Sequence, residues 1–393
     1  MGKVMNHIEK LHRLFVIGDI KNTEKEPDVD EWYRFLEALP EPKDCYEAVY
    51  NKYCCRNLHY SASKKKVLDL AAYAPLKAAM RYVSKTEKTL PELSGNTLLI
   101  EIRKDIDYRE VLPKELPKKY TALKTTEIAE VDYNDLTVEA KALFMELRRR
   151  YSREYYLQLF VLRKLAIHSR YLKEFNPAAT AVFVYERNVA TPLIRKLYED
   201  SGRRFISFMH GEYLLQIIQA YMGFSEYYVW DKMYIPMFRD DLRCQIGEYF
   251  VTTPLKLTKK WKLEEIEPTV FCTYYFSGES TASIQRISEL FRKLKAEGKD
   301  VRVRPHPRYS HLKLISQSFD PEMIEDPHTV SMEESLARTR YVVGLHTTVL
   351  SEAQVEGRTA VIDDIGDPEQ FKNLKKRKFV VLEREHRLLS EII

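Results

Sequence analysis

The sequence predicts an α/β protein of two domains, each with a parallel sheet covered by helices. Its 393 residues exceed what one hydrophobic core normally organises, and a hydrophobic content of 45% is enough to fill two. Between residues 269 and 363, short apolar stretches alternate with longer amphipathic ones, which is typical of parallel strands joined by helices. Residues 179–185 and 204–208 repeat, in the first half, the pattern of a buried stretch that ends in polar residues.

The first half gives fewer regular signals, and they place the domain boundary. Residues 137–175 carry apolar side chains every three or four positions, which fits one long helix or a pair of helices. Within residues 250–265, Pro254 and a lysine-rich turn interrupt the pattern, so residues 1–255 form an N-terminal domain with helical insertions and residues 256–393 a C-terminal domain. The other expected elements are strands at 12–20 and 97–103, helices at 64–85 and 191–201, and a surface loop at 104–119.

Strands and helices alternate cleanly in the second half. In a parallel sheet the carboxyl ends of the strands share one edge, and ligands bind beyond that edge. Polar residues that directly follow these strands are therefore the first candidates for a binding site. We expect strands at 269–276, 300–304, 323–324, 340–344 and 358–363, and helices at 281–297, 311–319, 331–337 and 348–356.

Composition and charge exclude several classes of protein. A formal net charge of +5 from 63 basic and 58 acidic residues is small and widely spread, which gives no case for binding nucleic acid. The 5 cysteines form neither an even disulfide framework nor a zinc-type spacing, and reduced thiols in a cytoplasmic protein are expected. We find no signal-type block in residues 1–10 and no apolar run long enough to span a membrane.

Several well-known catalytic motifs do not occur in the sequence. There is no phosphate loop of the G-x-x-x-x-G-K-[ST] type, and G-x-G-x-x-G, G-x-S-x-G and H-E-x-x-H are also missing. The acidic pairs Asp240-Asp241 and Asp363-Asp364 are adjacent rather than spaced as a D-x-D metal motif. A metal-independent reaction without a resident cofactor is therefore expected.

The segment after the expected strand 300–304 has the composition of a phosphate site. Arg304 and Arg308 bring positive charge, and His306 brings an imidazole donor. Pro305 and Pro307 flank the histidine and fix the backbone, so the turn is rigid before any ligand binds. The alternative is a stiff strand exit with an exposed histidine and no ligand.

A second candidate segment follows the expected strand 340–344. Thr347 and Thr348 open a helix there, so their hydroxyls and the first amides can meet an anion, while Glu352 can accept hydrogen bonds from ribose hydroxyls. Ordinary helix capping explains the same residues without a ligand. Ser277 and Gly278, in the turn after the strand 269–276, border the same edge and are assigned to the donor site or to a simple turn.

Three residues in the first half are candidates for a general base. His210 and Glu212 follow the expected strand 204–208, with Gly211 between them allowing a close backbone approach. Glu186 follows the strand 179–185 in the same way. A histidine or glutamate at a strand end also occurs as a purely structural residue.

Segments 304–308 and 344–353 resemble elements of bacterial transferases of the GT-B type that build surface polysaccharides. The similar families are sialyltransferases, polysialyltransferases and Kdo transferases, which use CMP-sugars, and CDP-glycerol glycerophosphotransferases of teichoic acid synthesis. The resemblance covers residues 270–363 and implies two Rossmann-like domains facing each other across a cleft. It also implies that His306 and the pair Thr347-Thr348 bind the cytidine phosphate of the donor.

The first half resembles these families less closely. His210-Gly211 is similar to the Trp-His-Gly segment of the glycerophosphotransferases, whose histidine acts as the base, although Met209 stands in place of the tryptophan. The acidic motif that supplies the base in several bacterial sialyltransferases is absent, and Glu186 occupies a comparable strand end. The identity of the base therefore stays open between these residues.

The resemblance implies an inverting, metal-independent glycosyltransferase of capsule or lipopolysaccharide synthesis. Its expected partners are a nucleotide-activated sugar, with CMP-sialic acid or CMP-Kdo as the first choice, and a glycan or lipid-linked acceptor at the inner face of the plasma membrane. Two other classes stay open. One is a CDP-glycerol or CDP-ribitol phosphotransferase, and the other is a non-catalytic protein that binds nucleotides or glycans.

Overall fold

The computed structural model describes residues 28–102, 107–124, 131–182, 188–259, 261, 263–307 and 309–393. The predicted strand 12–20 and the site candidates Glu186 and Arg308 lie outside these residues. Packing divides the chain into two compact units. The first contains the described residues up to His210 together with Gln216–Thr252, and the second contains Gly211–Leu215 and Thr253–Ile393.

The first unit is built on a parallel sheet of six strands in the order β2-β1-β3-β4-β5-β6. Aromatic side chains fill its interior, where the ring of Phe205 stacks on that of Phe224 at 5.0 Å between centroids, and Tyr227 continues the stack at 5.8 Å. Strand β2 was not predicted, because it follows a stretch rich in Lys, Pro and Glu. The strands are β1 Leu98–Ile102, β2 Tyr120–Lys124, β3 Ala179–Val182, β4 Arg204–Phe208, β5 Gly223–Val229 and β6 Gln245–Val251.

Helices make up most of the rest of the first unit. The segment 137–175 forms a pair of helices, α5 and α6, and the first one ends in three arginines that complement the negative end of its dipole. The predicted surface loop 104–119 is partly wrong, because it holds the helical turn α4, whose first and last residues are buried. The helices are α1 Val29–Ala38, α2 Cys45–Arg56, α3 Ala62–Val83, α4 Tyr108–Val111, α5 Val138–Arg150, α6 Tyr155–Phe175, α7 Thr191–Glu199 and α8 Tyr234–Pro236. Among the described residues, no helix is long and apolar enough to cross a membrane.

The second unit is a parallel sheet of five strands in the order β11-β10-β9-β7-β8, with helices between the strands. Its α/β alternation confirms the sequence prediction. The strands are β7 Val270–Tyr275, β8 Val301–Arg304, β9 Thr339–Gly344, β10 Thr359–Ile362 and β11 Arg387–Leu388. The helices are α9 Thr281–Ala296, α10 Leu312–Ser318, α11 Met332–Arg338, α12 Val349–Val355 and α13 Pro368–Lys376.

One predicted strand of the second unit is wrong. Residues 323–324 do not form a sheet strand; Pro321–Met323 is a 3-10 turn, and Ile324 makes a single bridge to Val303. Two apolar residues are too short a stretch to sustain a ladder of hydrogen bonds. Two elements of the structure, α13 and β11, follow the last predicted strand and were not predicted. They lie in a polar segment whose hydrophobic periodicity is weak.

A short segment from the middle of the chain packs with the second unit. Leu214 belongs to the hydrophobic core on one face of the second sheet. Leu215 exchanges two hydrogen bonds with Arg377, from its N–H to the arginine carbonyl at 2.8 Å and from the guanidinium to its own carbonyl at 3.2 Å. Residues 211–215 are therefore not part of the first compact unit, although the sequence assigned residues 1–255 to one domain.

Candidate functional site

The strand order of the second unit creates a crevice between β7 and β9. The chain passes from β7 to β8 on one side and then crosses to β9 on the other side of β7. In open parallel sheets of this order, ligands bind beyond the carboxyl ends of the strands at the point of reversal. The described residues that follow these three strands, 276–280, 305–307 with 309–311, and 345–348, are here called the strand-end site.

Hydrogen bonds tie the three segments of the strand-end site together. The Ser277 hydroxyl donates to the carbonyl oxygen of His346 at 2.7 Å, which links the segments after β7 and β9. The His306 N–H donates to the Phe276 carbonyl at 3.1 Å and to the Ser310 hydroxyl at 2.8 Å, which links the segments after β7 and β8. These hydrogen bonds hold the three loops against each other.

Glu279 occupies the amide groups of the turn after β7. Its Oε2 accepts the N–H of Ser277 at 2.7 Å and the N–H of Gly278 at 3.0 Å. Gly278 has φ +117°, a conformation that favours glycine. Burial, with a contribution from the charge of Asp363, raises the pKa of the Glu279 carboxyl to about 7. Ser277 and Gly278 were assigned to the donor phosphate, but both amides already have an acceptor inside the protein.

A buried tyrosine and aspartate lie beneath this turn. The Tyr274 hydroxyl donates to Asp363 Oδ2 at 2.7 Å, and Oδ1 of the same carboxylate accepts the N–H groups of Ile365 and Gly366 at 3.0 and 2.7 Å. Burial raises the pKa of both Tyr274 and Asp363. The charge of Asp363 thereby contributes to the raised pKa of Glu279 in the turn above.

The imidazole of His306 is oriented by the residue three positions later. Its Nδ1 accepts the N–H of Tyr309 at 3.3 Å, and the two rings lie 4.6 Å apart. A neutral imidazole that accepts at Nδ1 carries its proton on Nε2, which is then a hydrogen-bond donor. Pro307, which follows the histidine, is exposed. This geometry suits the predicted contact between His306 and a phosphate oxygen.

Arg304 lies beside a buried carboxylate of the second unit. It is buried, and its guanidinium donates to the Val330 carbonyl at 2.8 Å and contacts Glu325 Oε2 at 3.5 Å. Glu325 also accepts hydrogen bonds from Ser335 and Arg338. In the structure the charge of Arg304 compensates a buried carboxylate within the fold, and its assignment to the donor phosphate stays a prediction.

The loop after β9 is compact at its glycine. A Cβ on Gly344 would lie 2.8 Å from Thr347 Cγ2 and 3.4 Å from the Tyr275 carbonyl, so a larger residue would displace the threonine. Thr347 Oγ1 accepts the N–H of Val349 at 3.4 Å, and Thr348 makes no side-chain capping bond. Both threonines are half-buried. Capping alone therefore does not account for the two hydroxyls.

Two further residues of this region are engaged by charged or aromatic neighbours. Glu352, assigned to a ribose hydroxyl, pairs with the ammonium of Lys256 at 3.1 Å. The ring of His346 packs edge-on against Phe379 at 5.2 Å between centroids. Burial and the positive charge of Arg377 lower the pKa of His346 to about 4, so the ring is neutral near pH 7.

The three candidate bases have different surroundings. Glu212 is buried in the second unit, where Ser351 donates to its Oε1 and the Arg384 guanidinium lies 3.6 Å from the same oxygen. Both partners hold this carboxylate within the second unit. His210 belongs to the first unit, directly before the segment Gly211–Leu215 that packs in the second unit, and it is half-buried. Glu186 lies outside the described residues, so His210 is the better of the two described candidates.

Sequence reasoning missed two residues of the strand-end site. Glu279 directly follows Gly278, and an acidic residue after a glycine turn is a signal for a carboxylate that folds back onto the turn amides. His346 lay inside the predicted segment, but its carbonyl rather than its ring makes the contact with Ser277. A main-chain contact of this kind leaves no trace in the side-chain pattern.

Comparisons with known proteins give fold-level matches only. No family model and no curated protein matches this sequence. Among solved structures, the chain is similar to a glycosyltransferase from Rickettsia africae ESF-5, with a TM-score of 0.34, 11% identity, and coverage of 63% of this chain and 66% of that one.

It is also similar to structures of the wall teichoic acid polymerase TagF. A TagF variant soaked with CDPG matches with a TM-score of 0.37 and 11% identity, over 80% of this chain and 79% of that one. Another TagF structure matches with a TM-score of 0.36 and 11% identity, over 77% and 79% of the two chains.

Proposed function

We propose that this protein is a transferase that binds the nucleotide part of an activated donor at the strand-end site. The observation that carries the proposal is the convergence of three hydrogen-bonded loops at the strand reversal, with the Ser277–His346 bond at its centre. Such a preordered edge binds a phosphate group without a large ordering cost. The sequence resemblance at His306 and Thr347-Thr348 supplies the chemical class of the ligand, a cytidine phosphate.

In the preferred form of the proposal, the donor is a CMP-sugar, either CMP-sialic acid or CMP-Kdo. The acceptor hydroxyl oxygen bonds to the anomeric carbon with inversion, while the bond from that carbon to the phosphate oxygen breaks. The acceptor proton passes to His210, and the electron pair leaves with CMP. His306 Nε2–H and the hydroxyls of Thr347 and Thr348 donate hydrogen bonds to the departing phosphate, which stabilises its charge without a metal.

The surroundings of Glu212 favour a second candidate function. Because that carboxylate is paired with Arg384, a histidine remains as the described candidate base. A histidine base is what the resemblance to CDP-glycerol glycerophosphotransferases implies. In that reaction the acceptor oxygen would attack the β-phosphorus of CDP-glycerol or CDP-ribitol, and CMP would again leave.

A thermal-shift panel tests nucleotide binding directly. Wild type, His306→Ala and His328→Ala are melted with CMP, CDP, UDP or GDP; His328 is an exposed histidine of the same unit and serves as the matched control. A ligand at roughly 100 times its Kd stabilises the folded state by about 2.7 kcal/mol. We expect CMP to raise the Tm of wild type and His328→Ala but not of His306→Ala.

A donor assay separates the two candidate reactions. CMP release is measured with CMP-sialic acid, CMP-Kdo and CDP-glycerol, each with and without an acceptor glycan. Release from a CMP-sugar alone supports the glycosyltransferase, and release from CDP-glycerol alone supports the phosphotransferase. The absence of any nucleotide response in both experiments would contradict the transferase proposal and leave a glycan-binding protein.

A further inference from the structure

A solvent-facing stripe on α3 combines basic and large apolar side chains. Lys66, Leu70, Tyr73, Lys77 and Arg81 recur every three or four residues, so they lie on one face of the helix. All five are exposed, and Leu70 at 65% is the most exposed large apolar side chain among the described residues. These residues are here called the α3 stripe.

The α3 stripe is not needed to hold the helix in the fold. The opposite face carries five apolar side chains, all of them at most 4% exposed. That face supplies the packing energy that fixes α3, at roughly 25 cal/mol for each Å² buried. The helix is therefore apolar on two sides: on the outer side Leu70 is largely exposed, and Tyr73 is partly covered by its ring contact with Tyr155. The five buried residues are Leu68, Ala72, Leu76, Ala79 and Val83.

A cavity of about 540 Å³ opens beside the stripe, between α3, α5 and α6. Tyr73 packs edge-on against Tyr155 at 5.0 Å on its wall. Met145, which is 40% exposed, lies at the same cavity. The wall is thus largely apolar and aromatic, and its charged members are Lys77, Arg148 and Arg149.

The charges of this cavity are unbalanced. Arg149 forms a two-bond pair with Glu146, at 2.8 and 2.7 Å, which neutralises it. The Arg148 guanidinium instead contacts the sulfur of Met80 at 3.7 Å. Within the described part of the chain, no carboxylate forms an ion pair with Lys77 or Arg148. An anion at the cavity would therefore meet two uncompensated positive charges.

Acidic groups near the stripe do not cancel this charge. Asp69, on the flank of α3, is half-buried and accepts the N–H of Tyr156 at 2.8 Å. Glu154 is also half-buried. Burial raises the pKa of both carboxyls, in keeping with their half-buried positions.

We propose that the α3 stripe and the adjoining cavity dock on a membrane surface rich in anionic phospholipid. Lys77 and Arg148 bind lipid phosphates, while Leu70 and Met145 enter the boundary between headgroups and acyl chains. Stable association with a bilayer generally needs both an apolar and a basic contribution, and this face has both. A soluble acidic protein would use the charges but would leave the most exposed leucine without a function.

Vesicle flotation with the full chain tests the proposal. The vesicles are pure phosphatidylcholine, or phosphatidylcholine with about a third phosphatidylglycerol, to supply the anionic surface. We expect binding only to the anionic vesicles and a loss of binding as salt shortens the screening length. Each Lys or Arg near such a surface contributes roughly fivefold in affinity, so Lys77→Glu with Arg148→Glu should weaken binding at least 25-fold, on the order of two such factors.

A second variant and a matched control keep the outcome interpretable. Leu70→Ser removes an exposed side chain outside the core and should weaken binding about tenfold, the effect of one apolar side chain. Leu312→Ser with Lys313→Glu changes the same residue types on α10 and should leave binding unchanged. Equal binding to both vesicle types, unchanged binding of the stripe variants, or stabilisation by free glycerol phosphate without vesicle binding would overturn the proposal. The experiment contains no nucleotide, so its result is independent of the proposed transferase activity.

Discussion

The hydroxyl of Ser277 and the carbonyl oxygen of His346 lie 2.7 Å apart, and this hydrogen bond joins the ends of two neighbouring parallel strands. The two residues are 69 positions apart in the chain, so the contact depends on the whole intervening fold. It holds the turn that carries Gly278 against the loop that carries Thr347 and Thr348. The geometry of the strand-end site therefore depends on a single side-chain hydroxyl at this point.

Ser277→Ala should loosen the strand-end site more than it destabilises the protein. One neutral hydrogen bond contributes about 1 kcal/mol to the free energy of unfolding. We expect a loss of that size in denaturant titration and a smaller CMP-induced rise in Tm. Ser316→Ala is the control, because that exposed serine donates to the Lys313 carbonyl at 2.9 Å within its own helix. Equal CMP responses in both variants would show that the Ser277 bond does not shape the site.

Glu279→Gln should change how stability depends on pH. The pKa of Glu279 is raised to about 7 in the folded protein from 4.5, so the folded state holds a proton that the unfolded state releases. This contribution is fully present below pH 4.5 and is lost as pH rises through about 7. The glutamine variant can still accept the two turn amides but no longer titrates.

The Glu279→Gln experiment compares free energies of unfolding at several pH values between 4.5 and 8. We expect the wild type to lose up to about 3 kcal/mol relative to the variant across this window. Glu289→Gln, on the exposed face of α9, is the control and should follow the wild type. Parallel curves for wild type and Glu279→Gln would mean that this carboxyl does not titrate in the window.

Arg304→Met should reduce stability without reducing nucleotide binding. Methionine keeps the buried length of the side chain, and among the described residues Glu325 then retains Arg338 and Ser335 as side-chain partners. We expect a loss of about 2 kcal/mol, less than for a buried carboxylate stripped of every partner. Arg302→Met, at a half-buried position of the same strand where the guanidinium pairs with Asp300, should change stability by about 1 kcal/mol or less. If the Arg304→Met protein is folded but CMP no longer raises its Tm, Arg304 contacts the phosphate.

Substitutions of Glu212 and His210 should show which of the two has a structural role and which a catalytic one. Glu212→Gln removes a charge that Arg384 compensates, and we expect a loss of about 1–3 kcal/mol in stability with turnover largely retained. His210→Gln should keep its stability and lose roughly 10²–10⁴-fold in kcat, the usual contribution of a general base. CMP release at a temperature where both variants are folded provides the measurement. A folded Glu212→Gln protein without turnover, beside an active His210→Gln protein, would reverse the assignment.

The sequence predicted the second sheet well because its strands are buried on both faces. Strand Val270–Tyr275 is a nearly continuous apolar stretch, and Thr339–Gly344 ends in buried apolar residues before a polar turn, which periodicity detects readily. The short β11, with two residues, carries no such signal, and its pairing depends on the neighbouring β10. Strand β2 lies at the edge of its sheet, where apolar composition is less strongly required.

The roles of individual site residues were harder to predict than the sheet. Arg304 has the right type and position for a phosphate contact, but Glu325, 21 residues further along, draws it into an ion pair. Likewise Glu212 appears as an exposed strand-end acid in the sequence, while Ser351 and Arg384 enclose it in the structure. In both cases the deciding partner is distant in sequence, so local patterns carry no information about it.

Because Gly211–Leu215 packs in the second unit, the order of synthesis on the ribosome affects how the protein folds. These residues leave the ribosome before Thr253–Ile393 does. Leu214, which is 4% exposed in the folded protein, therefore stays unburied until the core of the second unit forms. The second unit in turn needs this earlier segment to complete its interior. We therefore expect the isolated fragment 253–393 to fold poorly and the nascent chain to pass through a stage with an exposed apolar loop.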